Sequence, residues 1–325
     1  MSSVGTGWKE IIGADESSRH AEAARMMAAM QKRKDERYGP GRALHRKALA
    51  AVRGNLRVLD GLPEHARHGL FATPGEHEVW VRLSNGALDK QSNRRPDIRG
   101  FAMRVFGVDG EAALGGRTDH QDISLINQVA FAFPDSRHFF GLIEAAGRSP
   151  GAVIGWMFKT FGLVGGFKQL KKLAATAGKP FTGFATEAFA STLPISCGPA
   201  AVKVRLLPPA GHKPRADVNG DWAGDLTAQA AAGPLKYRLQ LQFFVDEART
   251  PLEDASVEWP ESAAPFVDVA ELMLEAPSTD VDFIARVEAG VFDPWQALAA
   301  HKPLGEVMRA RKVAYFSSQQ ARGAA

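Results

Sequence analysis

The residues with the clearest chemical potential lie in RKVAYFSSQQAR, which spans residues 311–322. Here Tyr315, one of three tyrosines in the sequence, stands between Arg311 and Arg322. At about 100° per residue, offsets of four and seven positions return to nearly the same helix face. Such a face suits an anionic ligand or a metal. A surface helix with solvated arginines and a half-buried tyrosine is the alternative interpretation.

The chemistry open to Tyr315 depends on the charge of its phenol. A phenol binds metal as phenolate, and an unperturbed pKa of about 10 means that a nearby cation must favour the charged form. Arg311, one helical turn earlier, can supply that cation. Tyrosinate is one of the few protein ligands of haem iron. A guanidinium such as that of Arg322 forms bidentate bonds with carboxylates, including the propionates of haem.

Several short motifs precede this stretch along the chain. RALHRKAL contains Arg42 and His45, and VWVRLSNG contains Arg82 and Ser84 at alternate positions. DIRGFAMRVFG, VAFAFPDSRHF and EWPESAAPF follow in that order. With the tyrosine stretch at the end, the ordered set resembles the motifs of the catalase family over about residues 39–322. The sequence stops soon after the tyrosine stretch, and in this it looks most like the short bacterial catalase-related haem peroxidases.

This resemblance implies a haem b site and a role for each matching residue. Tyr315 corresponds to the proximal iron ligand, and Arg311 to the partner that stabilises its phenolate. His45 corresponds to the distal acid–base, and Ser84 to the serine that orients it. Phe133, in the Phe-Pro-Asp turn, corresponds to the aromatic residue stacked on the porphyrin. The residues that match the propionate-binding arginines are Arg42, Arg82 and Arg322.

The distal side departs from the family pattern at one position. Catalases carry a distal asparagine thirteen residues before the phenylalanine that matches Phe133, and counting back along this sequence gives His120. We therefore predict His120 as the distal donor in place of the amide. Gln121 and Asn127 are the alternatives, because an ungapped count through a loop is sensitive to insertions.

The resemblance implies an enzyme that reduces hydrogen peroxide or an organic hydroperoxide through a ferryl intermediate, with a small electron donor. Because the distal asparagine is not at its usual place, we expect peroxidase activity rather than oxygen release by a true catalase. Isomerisation or dehydration of a lipid hydroperoxide, as in allene oxide synthases, is a second possibility. Haem storage or sensing is a third, although a store needs no distal base.

The elements that must position these residues are predicted to form one α+β unit. Strand-like segments occur at 48–59, 78–86, 99–108, 121–127, 201–208 and 236–246, and several alternate with a period of two. They predict a catalase-like antiparallel β-barrel with surrounding helices. Helical segments are expected at 15–37, within an insertion at about 135–189, and in DFIARVEAG, PWQALAAH and GEVMRARKVAYFSSQQAR. We expect an N-terminal helical arm over residues 1–38 and a haem-binding domain over residues 39–325.

Composition excludes several other classes of protein. Lysine and arginine exceed aspartate and glutamate by only 40 to 36, so a nucleic-acid partner is not expected. A single cysteine excludes an intrachain disulfide, and the start of the sequence lacks a signal-peptide pattern, which together favour a cytoplasmic location. The apolar run at 151–166 holds Lys159 and five glycines, and is shorter than the roughly 20 residues of a spanning helix. By family analogy we expect a homo-oligomer.

The longer stretch from Gly151 to Lys179 combines apolar and basic residues. It contains phenylalanines and lysines that could guide the tail and the carboxylate of a lipid substrate. A helix that simply packs on the barrel is the alternative interpretation.

Overall fold

The computed structural model describes residues 4–324, without the side chains of residues 175–178, so residues 1–3 of the expected arm lie outside it. This range contains six α-helices: α1 (Glu16–Tyr38), α2 (Ser136–Arg148), α3 (Pro150–Gly178), α4 (Trp222–Ala232), α5 (Val281–Ala289) and α6 (Glu306–Ala321). It also contains nine strands: β1 (Ala48–Val58), β2 (Gly75–Asn85), β3 (Arg99–Glu111), β4 (Arg117–Ile126), β5 (Phe189–Ala190), β6 (Ile195–Cys197), β7 (Ala200–Leu207), β8 (Leu235–Phe243) and β9 (Phe266–Leu274).

The strands form one antiparallel barrel. Hydrogen-bonded neighbours follow the order β5-β4-β3-β2-β1-β9-β8-β7-β6, and the additional β5–β7 pairing closes eight of the strands into a ring. The six helices of the described range lie outside this ring in the chain order α1, then α2 and α3 between β4 and β5, then α4, α5 and α6. The predicted α+β fold with an antiparallel barrel is therefore confirmed.

The barrel interior follows from the two-residue alternation of its strands. Val81 and Leu83 on β2 pair with Met103 and Phe101 on β3, and all four side chains are fully buried. Fully burying one such side chain contributes about 1.5–3 kcal/mol. A slip of one residue would turn the whole set outward. The burial pattern therefore fixes the register of β2 against β3, and with it the residues that face outward between these positions.

Four elements were missing from the sequence prediction: the short strands β5 and β6, the longer strand β9 and the helix α4. In β9 the acidic residue Glu271 interrupts the apolar pattern, and it is paired with Arg57 of β1 and Lys236 of β8. Helix α4 is preceded by Asp221, whose side chain accepts a hydrogen bond from the Gly224 amide at the helix start. The partners of Glu271 are distant in the sequence, whereas the capping residue of α4 is local.

The prediction of a helix in PWQALAAH is wrong. Only Ala299–His301 forms a short 3-10 turn. The residues before this turn form a backbone hydrogen bond with β4, because the amide of Asp122 donates to the carbonyl of Gln296 at 2.7 Å. The Trp295 indole donates to the carbonyl of Met308 at 2.8 Å, which fixes this segment beneath α6.

The tyrosine-bearing helix α6 is anchored at its first turn against the N-terminal helix α1. The Glu306 carboxylate accepts hydrogen bonds from the Ser136 amide at 2.8 Å and from Arg19, and lies 2.8 Å from His20 Nε2. Although burial raises the pKa of Glu306, its hydrogen bonds to His20, Ser136 and Arg19 lower it to about 2. The position of α6 therefore depends on a buried carboxylate.

A second ion-pair group holds the same turn. Arg309 donates to Glu10 at 2.7 Å, to Glu16 at 2.7 Å and to Glu253 at 3.1 Å. Burial opposes the charged form of Arg309, but hydrogen bonds to these carboxylates raise its pKa.

The predicted helical insertion is present as α2 and α3. Ser149 caps α3 by accepting a hydrogen bond from the Ala152 amide, and α3 bends at Gly162, where φ is 69°. Within residues 4–324 no helix has both the length and the apolar composition needed to cross a membrane.

Candidate functional site

His45 lies on the outer face of the barrel, where the first strand begins. Its Nδ1 atom is 3.0 Å from Ser84 Oγ on β2. Ser84 pairs across the sheet with Gly100 of β3, and Gly100 pairs with Ile126 of β4. A Cβ atom at Gly100 would lie 2.5 Å from His45 Nδ1 and 2.7 Å from Ser84 Oγ. The imidazole can therefore lie against the sheet because this position is a glycine.

The backbone of His45 is also unusual. Its φ of 51° is in the left-handed region, which non-glycine residues rarely adopt. Its amide donates to the carbonyl of Gly86 at 3.2 Å. This conformation turns the chain back onto the sheet and directs the ring towards Ser84, and strain of this kind persists where the surrounding structure holds it in place.

The electrostatic surroundings keep His45 neutral. Burial of the ring, followed by the positive charges of Arg82, Arg311 and Arg42, lowers the pKa of His45 to about 3. When Nδ1–H donates to Ser84, the lone pair of Nε2 is available to accept a proton. The pair therefore has the protonation state that a general base needs at neutral pH.

Tyr315 and Arg311 meet on the surface of α6, as the spacing predicts. The Nη2 atom of Arg311 donates to Tyr315 Oη at 2.7 Å, and its guanidinium carbon lies 4.9 Å from the centroid of the tyrosine ring. A charged donor in this position stabilises an anionic oxygen. Because the charge of Arg311 also acts on His45, this part of α6 lies within electrostatic range of the histidine.

Three arginines from distant parts of the sequence converge at the end of α5. Arg42 donates to the carbonyls of Glu288 at 2.9 Å and Gly290 at 2.6 Å. Arg322 donates to the same Gly290 carbonyl at 3.1 Å. Arg82, which is buried, donates from Nε to the Glu288 carboxylate at 2.8 Å. The structure thus brings together the three arginines to which the family resemblance gave one role.

The charges in this arginine cluster, formed by Arg42, Arg82 and Arg322, do not balance. Arg42 and Arg82 contact the Glu288 carboxylate, whose side chain is 43% exposed, while Arg322 donates to the nearby Gly290 carbonyl. Burial and the neighbouring charge of Arg82 lower the pKa of Arg42 to about 9. Sequence reasoning missed Glu288, because α5 meets these arginines only in the folded chain. A cluster with an excess of two positive charges suits a ligand that carries two carboxylates.

Phe133 is buried between the Phe-Pro-Asp turn and α3. Its ring stacks on Phe161 of α3 with centroids 6.0 Å apart and planes 7° from parallel, and meets Trp156 edge-on at 5.7 Å. The aromatic residue expected on the cofactor is therefore joined to the helical insertion, a link that the sequence pattern did not contain.

The structure does not bring His120 to His45. Rows of paired residues cross β2, β3 and β4, and the row with Ser84 and Gly100 ends at Ile126. His120 pairs with Phe106 and lies six residues before Ile126 in β4, which separates the two residues by about 20 Å. There its Nδ1 atom contacts Asp119 at 2.6 Å. The ungapped count placed His120 at the wrong end of the strand, because it ignored the register of β4.

The two alternatives to His120 lie at different ends of β4. Gln121 is buried, and its side chain accepts a hydrogen bond from the Leu298 amide at 3.2 Å. Asn127 directly follows the row that holds Ser84 and Gly100. Its amide accepts from the Arg99 backbone at 2.8 Å and donates to Glu187 at 3.2 Å. Of the three residues considered, Asn127 is the one beside the candidate site, and both ends of its amide are engaged by the protein.

The sheet face beside His45 carries small side chains. Gly100 is followed on the same face by Ala102, which pairs with Ser124 of β4 and with Arg82 of β2. Ala102 and Ser124 are half-buried rather than fully packed. The sheet face beside the histidine is therefore lined by short side chains. Together with the Tyr315 phenol, the His45 imidazole and the unbalanced guanidiniums, these residues could hold a cofactor that carries two carboxylates and a metal.

Comparison with known proteins supports the fold. No protein-family model matches the sequence, and no curated protein matches it either. Among solved structures, the chain is similar to a fungal catalase, with a TM-score of 0.70 and 19% sequence identity. The similarity covers 90% of this chain and 62% of the fungal one, so the chain spans less than two thirds of that protein. The chain therefore has a catalase-like fold.

Proposed function

We propose that the protein is a haem-dependent peroxidase that reduces hydrogen peroxide or an organic hydroperoxide with electrons from a small donor. The observation that carries this proposal is the neutral His45, held 3.0 Å from Ser84 on the outer face of a catalase-like barrel. Arg311, paired with the Tyr315 phenol, acts on the same histidine through its charge. This supports the assignment of a base and a candidate iron ligand to one site.

The residues that would hold haem b belong to three groups. Tyr315 would bind the iron through its phenolate oxygen, with Arg311 stabilising the negative charge. The propionates would pair with the arginine cluster, whose excess of positive charge matches two carboxylates. Phe133 would be the aromatic contact of the porphyrin once Phe161 and Trp156, which cover its buried ring, move aside. Bound haem would supply the redox chemistry that cleaves the oxygen–oxygen bond.

His45 would move the proton. Its Nε2 atom would accept the proton of the peroxide oxygen that stays, and return it to the oxygen that leaves as water or an alcohol. Ser84 would hold the ring at Nδ1 during both transfers. The donor would supply two electrons in total, so that peroxide, two protons and two electrons give an alcohol or water together with one further water.

The engagement of Asn127 favours a peroxidase over a true catalase. Oxygen release requires a second peroxide to be held above the cofactor, and an amide directed at that molecule assists this step. The amide of Asn127 instead bonds to Arg99 and Glu187. His120, about 20 Å away along β4, cannot replace it. We therefore expect oxidation of small aromatic donors to exceed oxygen release.

A second candidate function is isomerisation or dehydration of a lipid hydroperoxide. The exposed apolar side chains of α3, including Leu163 and Phe167, support it because Phe161 of the same helix stacks on Phe133. Simple haem storage is less favoured, since a store has no use for the His45–Ser84 pair.

One experiment separates these functions. The purified protein, loaded with haemin if it is isolated without haem, is mixed separately with hydrogen peroxide, cumene hydroperoxide and a fatty-acid hydroperoxide. Oxygen release, oxidation of an aromatic donor and organic products are followed in each case. We expect donor oxidation with little oxygen. Rapid oxygen release would indicate a catalase, and an epoxide or ketol without donor oxidation would indicate the isomerase.

A further inference from the structure

The positive charge of the protein is concentrated in one segment around α3. Residues 145–186 contain six lysines and arginines and no aspartate or glutamate. The whole chain carries a net charge of +4, so the remaining residues together sum to −2. Neither the barrel nor the candidate site explains this asymmetry, because the arginine cluster lies outside the segment.

The same segment exposes large apolar side chains. Directly after the bend at Gly162, Leu163 is 74% exposed, Val164 is 85% exposed and Phe167 is 67% exposed. Val164 is the most exposed large apolar residue within residues 4–324. Adjacent exposed apolar residues of this size usually mark an interaction surface.

Exposed lysines flank this apolar tip, defined as Leu163, Val164 and Phe167. Lys159 precedes the bend, and Lys168 and Lys171 follow Phe167 on the next turn. Apolar side chains flanked by lysines are typical of helices that lie in the interface of a bilayer, where the lysine stems reach the headgroups. Anionic lipids attract such lysines, and the apolar side chains enter the acyl region.

The part of α3 before the bend is fixed to the protein. Met157 is fully buried there, and Phe158 meets Phe167 of the apolar tip edge-on across the bend, with ring centroids 5.0 Å apart. Trp156 and Phe161 pack on Phe133. The apolar tip is therefore carried directly beyond a turn of α3 that is anchored to the protein.

We propose that α3 docks the protein on an anionic phospholipid bilayer, with the apolar tip inserted and the flanking lysines on the lipid headgroups. A second copy of the chain is the other candidate occupant. Two such surfaces would bring Lys159, Lys168 and Lys171 of both copies together, and the repulsion between these six like charges disfavours self-association. This proposal does not depend on haem, because it rests only on the exposed face of α3. Docking would place the Phe133 side of the candidate site next to the membrane.

Co-sedimentation of the full-length protein with vesicles tests the proposal. We expect binding to phosphatidylcholine vesicles that contain phosphatidylglycerol, little binding to pure phosphatidylcholine, and release by high salt. The variant Leu163→Ser/Val164→Ser/Phe167→Ser should bind at least about tenfold more weakly. Its matched control is Ile11→Ser/Ile12→Ser/Val281→Ser, because these residues are 70%, 70% and 74% exposed at other places on the surface.

Charge variants supply the second arm of the test. Lys168→Glu/Lys171→Glu should reduce binding to the anionic vesicles by at least about tenfold. Lys32→Glu/Lys90→Glu, at exposed positions elsewhere, makes the same change in net charge and should bind much more tightly than the α3 variant. Circular dichroism and thermal unfolding of every variant show whether the fold is retained.

Three outcomes would overturn the proposal. The first is that the protein does not bind anionic vesicles, and the second is that the matched controls lose as much binding as the α3 variants. The third is that light scattering shows a dimer which the apolar-tip variant converts to a monomer, while no vesicle binding is seen. The last result would assign the surface to a second copy of the chain.

Discussion

His45 and Tyr315 reach the candidate site from elements that are held in different ways. His45 lies on a sheet whose register is set by buried apolar pairs, and Gly100 leaves room for its ring. Tyr315 lies on a helix that is held by charged groups, above all Glu306 and Arg309. The histidine side should therefore resist changes of pH and salt that loosen the tyrosine side. Different substitutions can separate the two.

The largest expected effect is on the histidine side. His45→Ala should retain haem but slow the reaction with peroxide by about two to four orders of magnitude, because proton transfer at Nε2 is lost. Stopped-flow absorbance measures this rate. Ser84→Ala, which keeps the imidazole but removes its hydrogen bond, should have a smaller effect. An unchanged rate in His45→Ala would mean that another group moves the proton.

The next effect is on the tyrosine side. Tyr315→Phe should weaken haem binding by about a hundredfold or more and remove the absorption band of an iron-bound phenolate. Titration of the haem-free protein with haemin measures the affinity. Tyr38→Phe is the matched control, because the Tyr38 hydroxyl bonds to Asp89 at 3.1 Å, away from α6. Equal spectra for both variants would contradict the assignment.

Glu306→Gln tests the charged anchor of α6. The folded pKa of Glu306 is about 2, below its ordinary value of 4.5, so its contribution to stability is present above about pH 4.5 and is lost as pH falls towards 2. The substitution should cost about 2 kcal/mol at neutral pH and flatten the acid limb of the stability curve.

Urea unfolding of the wild type and Glu306→Gln between pH 7 and 3 measures this difference. Parallel curves across this range would mean that the carboxylate is not what ties α6 to α1. As the pH is lowered, absorption spectra of the haem-loaded wild type and variant should show a larger change in the iron-bound phenolate band of Tyr315 than in any feature that depends on His45.

The smallest effect concerns Glu288, which lies between the two sides. Glu288→Gln removes the carboxylate that faces Arg42 and Arg82, and should tighten haem binding by about two- to fivefold because the propionates no longer compete with it. Glu144→Gln is the control, since Glu144 also pairs with an arginine and is 49% exposed. The rate at which haem transfers to an acceptor protein measures the change in affinity. Faster transfer from Glu288→Gln than from the wild type would exclude competition between Glu288 and the propionates.

Local patterns in the sequence predicted the parts of the site that lie on single elements. Helical spacing placed Arg311 beside Tyr315, and strand alternation placed Arg82 and Ser84 on one outer face. Both follow from the geometry of one helix or one strand. The family resemblance added the link between His45 and Ser84, which the 3.0 Å contact between them agrees with.

Features that depend on pairing between distant elements were not predictable in this way. His120 was assigned by counting along the chain, whereas the register of β4 against β3 sets its position. Glu288 belongs to α5, which lies more than 200 residues from Arg42 and Arg82. Strand β9 was missed because its acidic residue Glu271 is neutralised by arginine and lysine on neighbouring strands.

The contact between α1 and α6 has a consequence for biosynthesis. His20 and Glu306 are 286 residues apart in the chain, so α1 leaves the ribosome long before its partner exists. The hairpins of β1 to β4 can pair during that interval, because they are neighbours in sequence. At about 5–20 residues per second, α1 waits tens of seconds for α6. The proposed cofactor could therefore be enclosed only after residue 315 has emerged, and a nascent chain that already displays His45 would still lack the proposed iron ligand.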